Sequence, residues 1–199
     1  MTKRAIVLFG DPVLTTPTTP ITTFDRHTKA LVRDLLDTVD APGRAGVAAT
    51  QIGVGLRAFS YNVEGRIGYV INPEIVELSE ETQDDGNEGC LSVPGLWYPT
   101  RRALRAVVKG VDLRNEPVTL EGTGLMARCL QHETDHLDGL LYLDRLDRET
   151  RRAAMREIRR SPWFLRAHEA SEPAPPLPSA FGGNLSSAAA PYGPVGGAD

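Results

Sequence analysis

His132, Glu133 and His136 form an HExxH pattern inside a segment with helical spacing, Gln131-His132-Glu133-Thr134-Asp135-His136. On an α-helix residues i and i+4 share a face, so both imidazoles can bind one metal ion while Glu133 enters the same space as a proton acceptor. Such a trio supports metal-assisted hydrolysis. Leu125, Met126, Cys129, Leu130 and Leu137 recur at helical spacing around it, and Gly139 is placed to stop the helix.

Two ligands do not complete a catalytic site, which takes three from the protein and keeps a fourth position open. His27 lies in an early amphipathic stretch and His168 near a Pro-rich tail, neither in a ligand-like setting. Glu149 and Glu157 are formal candidates downstream. The cysteines are better placed. Cys90 follows Gly89 in Asn87-Glu88-Gly89-Cys90-Leu91-Ser92-Val93-Pro94, where the glycine admits close backbone approach. Cys129 stands three residues before His132, on the same helical side. Three side chains from one straight helix project nearly parallel and make poor tetrahedral angles, so a ligand from a separate segment is favoured. Cys90 is therefore the expected third ligand, and Cys129 a small apolar wall beside the ion. A thiolate with two imidazoles suits Fe²⁺, Zn²⁺, Co²⁺ or Ni²⁺. Glu88 needs a counterion near such a site, and the Arg101-Arg102 pair offers one, which points to structural pairing.

Other elements must position these residues. Asp25 to about Val39 is amphipathic, with Leu31, Val32, Leu35, Leu36 and Val39 on one face and Thr23 or Asp25 as N-cap. Strands are expected at Leu56–Asn62, Ile67–Asn72, Ile75–Leu78, Ala103–Leu113 and Pro117–Leu120, and a first strand within Met1–Gly10. Short strands ahead of a late helix, without regular βαβ alternation, predict an α+β fold with mixed and antiparallel short sheets. Residues 1–170 read as one metallohydrolase domain. Residues 171–199, rich in Pro, Gly, Ala and Ser, bury too little surface to fold and read as a disordered tail.

Composition limits the partners. With 199 residues, 41% hydrophobic, and a formal charge of −4, the chain can bury one core but carries no global basic field for nucleic acid. No apolar run is long enough to span a membrane, and no cleavable leader is recognisable. Two cysteines in different roles fit a reducing, cytoplasmic compartment. The cluster Arg145, Arg148, Arg151, Arg152, Arg156, Arg159, Arg160 reads as a solvated helix face, with a weak ribosome contact through residues 145–160 as the other reading.

Three segments, Gly46-Val47-Ala48-Ala49-Thr50-Gln51, Glu88-Gly89-Cys90-Leu91-Ser92 and His132-Glu133-Thr134-Asp135-His136, resemble the three signature motifs of bacterial peptide deformylases, in the family's order. The resemblance runs from about Ala5 to about Leu146. One departure stands in the first motif, which usually opens Gly-x-Gly: here Arg44 takes the first place and Gly43 is displaced by one residue. The resemblance implies sheets packed around a helix carrying both histidines. It implies removal of the formyl group from N-formylmethionyl nascent peptides and Fe²⁺ as the cellular metal; the chain itself is expected to be a monomer. It assigns proton transfer to Glu133 and oxyanion donation to the Gln51 amide and the Leu91 N–H. It further implies that Gly46 and Gly89 let a peptide lie against open backbone, with Leu125, Cys129 and the His132 ring lining a methionine-sized pocket. Two other classes remain open: an HExxH metallopeptidase with a downstream ligand, and a catalytically silent binder of N-terminal peptides.

Overall fold

The computed structural model describes residues 3–84 and 86–169. After a short 3-10 turn at Pro12–Leu14, helix α1 spans Arg26–Val39. It is capped by the Asp25 carboxylate, which accepts from the backbone N–H of His27 and Thr28. Then come β1 (Gly46–Ala48), a 3-10 turn (Ala49–Ile52), β2 (Ala58–Val63), β3 (Arg66–Leu78), β4 (Thr82–Gln83), β5 (Asn87–Cys90), β6 (Val93–Pro99), β7 (Arg102–Ala103), β8 (Arg105–Val111) and β9 (Pro117–Thr123). Helix α2 (Gly124–Leu137) leads to α3 (Arg148–Arg160) and α4 (Pro162–Glu169).

Five strands form an antiparallel sheet in the order β1-β2-β3-β8-β9. Side chains alternate along a strand, and β2 uses both faces. Phe59, Tyr61 and Val63 join one apolar cluster with Met126, Ala127, Leu130 and Leu137 of α2. Ala58 joins another with Leu31, Val32, Leu35 and Val39 of α1, where the Ser60 hydroxyl donates to the Leu35 carbonyl. The sheet is thus sandwiched between α1 and α2. A third cluster packs Cys90 and Val93 of the β5–β6 hairpin against Tyr142, Leu143, Ala154 and Ile158. Gly139, at φ +76°, ends the α2 segment as expected.

The α+β expectation holds, with corrections. The named sheets are antiparallel rather than mixed: short connections that favour antiparallel pairing join β2–β3, β5–β6 and β8–β9, and β3 also pairs antiparallel with β8 across residues 79–104. Parallel pairing among the described residues is confined to the Thr19–Leu56 bridge. The expected first strand is an extended strap: Val7 N–H bonds the Gln51 carbonyl and Phe9 N–H the Ser92 carbonyl, partners on two different segments, so no ladder can form. The runs 67–72 and 75–78 are one strand, with bulges after Ile71 and Ile75 absorbing Pro73. Residues 103 and 105–111 belong to different strands, since Ala103 pairs with Thr82. The expected tail lies outside the described residues, among which no helix is long and apolar enough to cross a membrane.

Candidate metal centre

Cys90 arrives at the end of β5, where a register shift between Gly89 and Cys90 breaks the ladder with β6. Its Sγ lies 3.2 Å from His136 Nε2. Cys90, His132 and His136 are all buried, and one ligand atom from each falls within 4.8 Å of the others. One thiolate and two imidazoles converging from two elements suit a divalent transition metal. The His132 ring is also oriented for this. His132 Nδ1 is 2.6 Å from Glu88 Oε1, which leaves Nε2 for the ion, and His136 Nδ1 has no hydrogen-bond partner among the described residues.

Glu88 is the hub behind the candidate ligands. Arg102 donates to it from Nη2 at 2.6 Å and from Nε at 3.0 Å, and Arg128 Nη1 adds a bond at 3.0 Å. Arg102 Nη1 also reaches Asp135 at 2.6 Å, and Asp135 accepts from Arg145. Burial opposes ionisation of Glu88, yet His132 and Arg102 hold its carboxyl well below the usual range. The expected structural pairing of Glu88 is present through Arg102, whereas Arg101 turns outward to Asp84. Sequence reasoning missed Arg128, Asp135 and Arg145. No local signal marked them, because their partners lie on other segments of the chain.

The other charges follow from burial. Burial pushes the Glu133 carboxyl up to about 7 against the pull of His132 and His136, and Oε2 has no partner among the described residues. For Cys90, burial is outweighed by the charge of His136 and by hydrogen bonds with both histidines, so its thiol sits well below the usual range. Cys129, buried beside Glu133, is pushed well above it, and its Sγ contacts the Ala45 carbonyl at 3.2 Å.

A cleft of about 290 Å³ opens onto this centre. It is lined by Gln51, Leu91, Gly46, Gly89, Leu125 and Cys129 together with Cys90, His132 and Glu133, so the expected site residues converge. His136 stands behind them, fully buried. Gln51 Oε1 accepts from the Ala48 N–H at 2.9 Å, which turns Nε2 to within 3.4 Å of Cys90 Sγ. Two glycines are required by contact: a Cβ at Gly46 would collide with the Glu133 carboxylate, and one at Gly89 with the Trp97 ring. Gly43 adopts φ +78°, the left-handed turn conformation that the shifted first-motif glycine makes available. Arg44 Nη1 donates to the Thr38 carbonyl at 2.6 Å, near the end of α1. The remaining formal ligands lie elsewhere. His27 is exposed, Glu149 is exposed on α3, and Glu157 accepts from Tyr98 Oη. The His168 side chain is outside the described residues.

Residues 3–152 match the sequence model of the polypeptide deformylase family. A peptide deformylase of Acidothermus cellulolyticus is 58% identical over 164 residues, covering 82% of this chain and 89% of that one. One of Parafrankia sp. is 52% identical over the same shares. Among solved structures, a peptide deformylase from Thermus thermophilus superposes with a TM-score of 0.76 at 37% identity, over 85% of this chain and 99% of that one. One from Ehrlichia chaffeensis in complex with actinonin gives 0.73 at 34%, over 80% and 98%.

Proposed function

The chain belongs to the peptide deformylase family, hydrolases that release formate from N-formylated peptides, and on that premise we propose how its own residues divide the work. The observation that carries the reading is the buried Cys90–His132–His136 cluster with Glu133 beside it at the base of a cleft. Cys90, His132 and His136 would hold Fe²⁺, with Zn²⁺, Ni²⁺ or Co²⁺ able to substitute, on the helix that carries the HExxH pattern. Such an ion supplies Lewis-acid polarisation and makes a bound water easier to deprotonate.

Glu133 takes the proton from the attacking water and delivers it to the methionine nitrogen as the formyl C–N bond breaks, leaving formate and a free amine. Gln51 Nε2 and the Leu91 N–H donate to the oxygen as charge develops on it; a positioned donor of this kind contributes about 3 kcal/mol. Gly46 and Gly89 leave room for an extended peptide along the cleft, and Leu125 and Cys129 line the side that receives the methionine side chain.

The natural substrate is the nascent peptide beginning with N-formylmethionine, handled by a cytoplasmic monomer whose single domain spans residues 1–170. A weak ribosome contact through residues 145–160 is supported by Arg148, Arg152, Arg156, Arg159 and Arg160, all exposed, while Arg145 and Arg151 are engaged by Asp135 and Asp144. Co-sedimentation of Arg152/Arg156/Arg160→Glu equal to that of wild type would dismiss that contact. The central test is formate release by anaerobically prepared, Fe²⁺-loaded protein from a formyl-Met tripeptide and its acetyl analogue. Turnover of the formyl substrate alone, with loss of both metal and turnover in Cys90→Ser, is the expected result. Absence of formate from metal-replete protein would overturn the reading.

A further inference from the structure

The rim of the cleft is tied to a part of the chain that the family match does not reach. Pro94, Gly95 and Trp97 of β6 line the cleft, and the match ends at residue 152. Alternation along β6 puts Trp97 on the open side, while Leu96 and Tyr98 face the cluster that includes Trp163 and Phe164 of α4. Three hydrogen bonds run from that side into β6 or outward from it. Trp163 Nε1 donates to the Pro94 carbonyl at 3.1 Å, Tyr142 Oη to the Leu96 carbonyl at 3.1 Å, and Tyr98 Oη to Glu157 at 3.0 Å. Phe164 meets Trp163 edge to face, with ring centroids 5.9 Å apart, and lies tilted against Phe9 at 6.3 Å.

We propose that Trp163 is a positioning residue for peptide binding: α4 is a strap, and the indole N–H fixes the peptide plane at the cleft edge. β5 offers no register partner between Val93 and Trp97, so Pro94–Leu96 form a bulge that the β5 ladder does not hold. Gly95 takes φ +82° there, a conformation glycine enters and leaves readily. The peptide bonds are trans, so a Pro94 carbonyl held towards Trp163 turns the Gly95 N–H the opposite way, to the side on which Gly95 lines the cleft. Without the strap, this edge must be ordered each time a peptide binds.

This rests on the deformylase reading for its kinetic test, but not for its structural one. Trp163→Phe keeps an aromatic ring against Phe164 while removing the donor and part of the indole; Trp163→Ala removes the ring as well. Loss of one such bond is expected to raise KM for a formyl-Met tripeptide about 2- to 10-fold with kcat within about twofold. Amide exchange at Gly95–Trp97 should accelerate in Trp163→Phe while α2 stays protected. Leu165→Ala, exposed on the same helix, is the control and should change neither. Unchanged KM and exchange in Trp163→Phe, or a KM rise without faster exchange at Gly95–Trp97, overturns the strap. If wild type released no formate, the parent reading would fall, and the exchange data with tripeptide affinity by fluorescence anisotropy would still decide the inference.

Discussion

Helices α2 and α3 are nearly equal in length, 14 and 13 residues, and use charge in opposite ways. In α2 every residue from Met126 to Leu137 is buried, including Arg128, His132, Glu133, Asp135 and His136. In α3 only Ala154 and Ile158 are buried, and its arginines stand mostly in solvent. A surface charge costs little and contributes little. A buried one is expensive unless partnered, so the partners of α2 mark which of its charges hold structure. Arg128 and Asp135 are fully engaged with Glu88, Arg102 and Arg145, whereas the Glu133 Oε2 has no partner among the described residues. A buried carboxyl with one oxygen unpartnered beside the Cys90–His132–His136 cluster suits the proposed proton transfer, and stability alone gives no reason for it.

The largest effect should come from that unpartnered group. Glu133→Gln preserves size and burial but removes the proposed base, and turnover of the formyl substrate should fall about 10²- to 10⁴-fold with metal content intact. A fall of less than tenfold, measured on metal-replete protein, would move proton transfer to another group. The partnered charges should fail differently. Arg102→Ala leaves Glu88 and Asp135 buried without their shared cation, a loss of about 3–5 kcal/mol, so thermal melts should shift down by roughly 6–20 °C. A shift under about 2 °C would mean that Arg128 and Arg145 suffice. Glu88→Gln comes next. It keeps an acceptor for His132 Nδ1 but weakens the orientation of that ring, and metal affinity should drop about 10- to 100-fold in a competition with a chromogenic chelator.

The two helices were also unequally legible in sequence. The α3 segment follows a simple amphipathic pattern, so its solvated basic face could be read directly. α2 was found by the HExxH spacing and a few apolar residues; its burial on all sides hides any polar face, and nothing local tells that Asp135 reaches Arg102 and Arg145. The Cys90, His132 and His136 set was legible because the chemistry demands those residue types and few others exist. Strands β5 and β6 were not, because Glu88-Gly89-Cys90 has no alternation and the pairing passes through a bulge. The N-terminal segment misled for the converse reason: its apolar run has strand composition, but its partners are two separate loops. Rim features such as the Trp97 ring over Gly89 depend on contacts across nonadjacent positions, which no periodicity reports.

The smallest effect lies at the start of α3 and tests the solvated side of the comparison. Asp147 caps this helix, accepting from the Glu149 and Thr150 N–H groups and from the Thr150 hydroxyl. Those bonds, the Thr150 side chain first, hold its carboxyl below the usual 3.8. A carboxyl whose pKa is depressed by folding stabilises the fold above its unfolded pKa and loses that contribution as pH falls through the folded value. Asp147→Ala should therefore lower Tm by about 2–4 °C at pH 7. The gap should narrow at pH 3, below the unfolded carboxyl's 3.8, and the substitution should leave KM unchanged unless the disturbance reaches α4. An equal gap at both pH values would assign the cap to geometry, with the neutral acid serving as well as the anion.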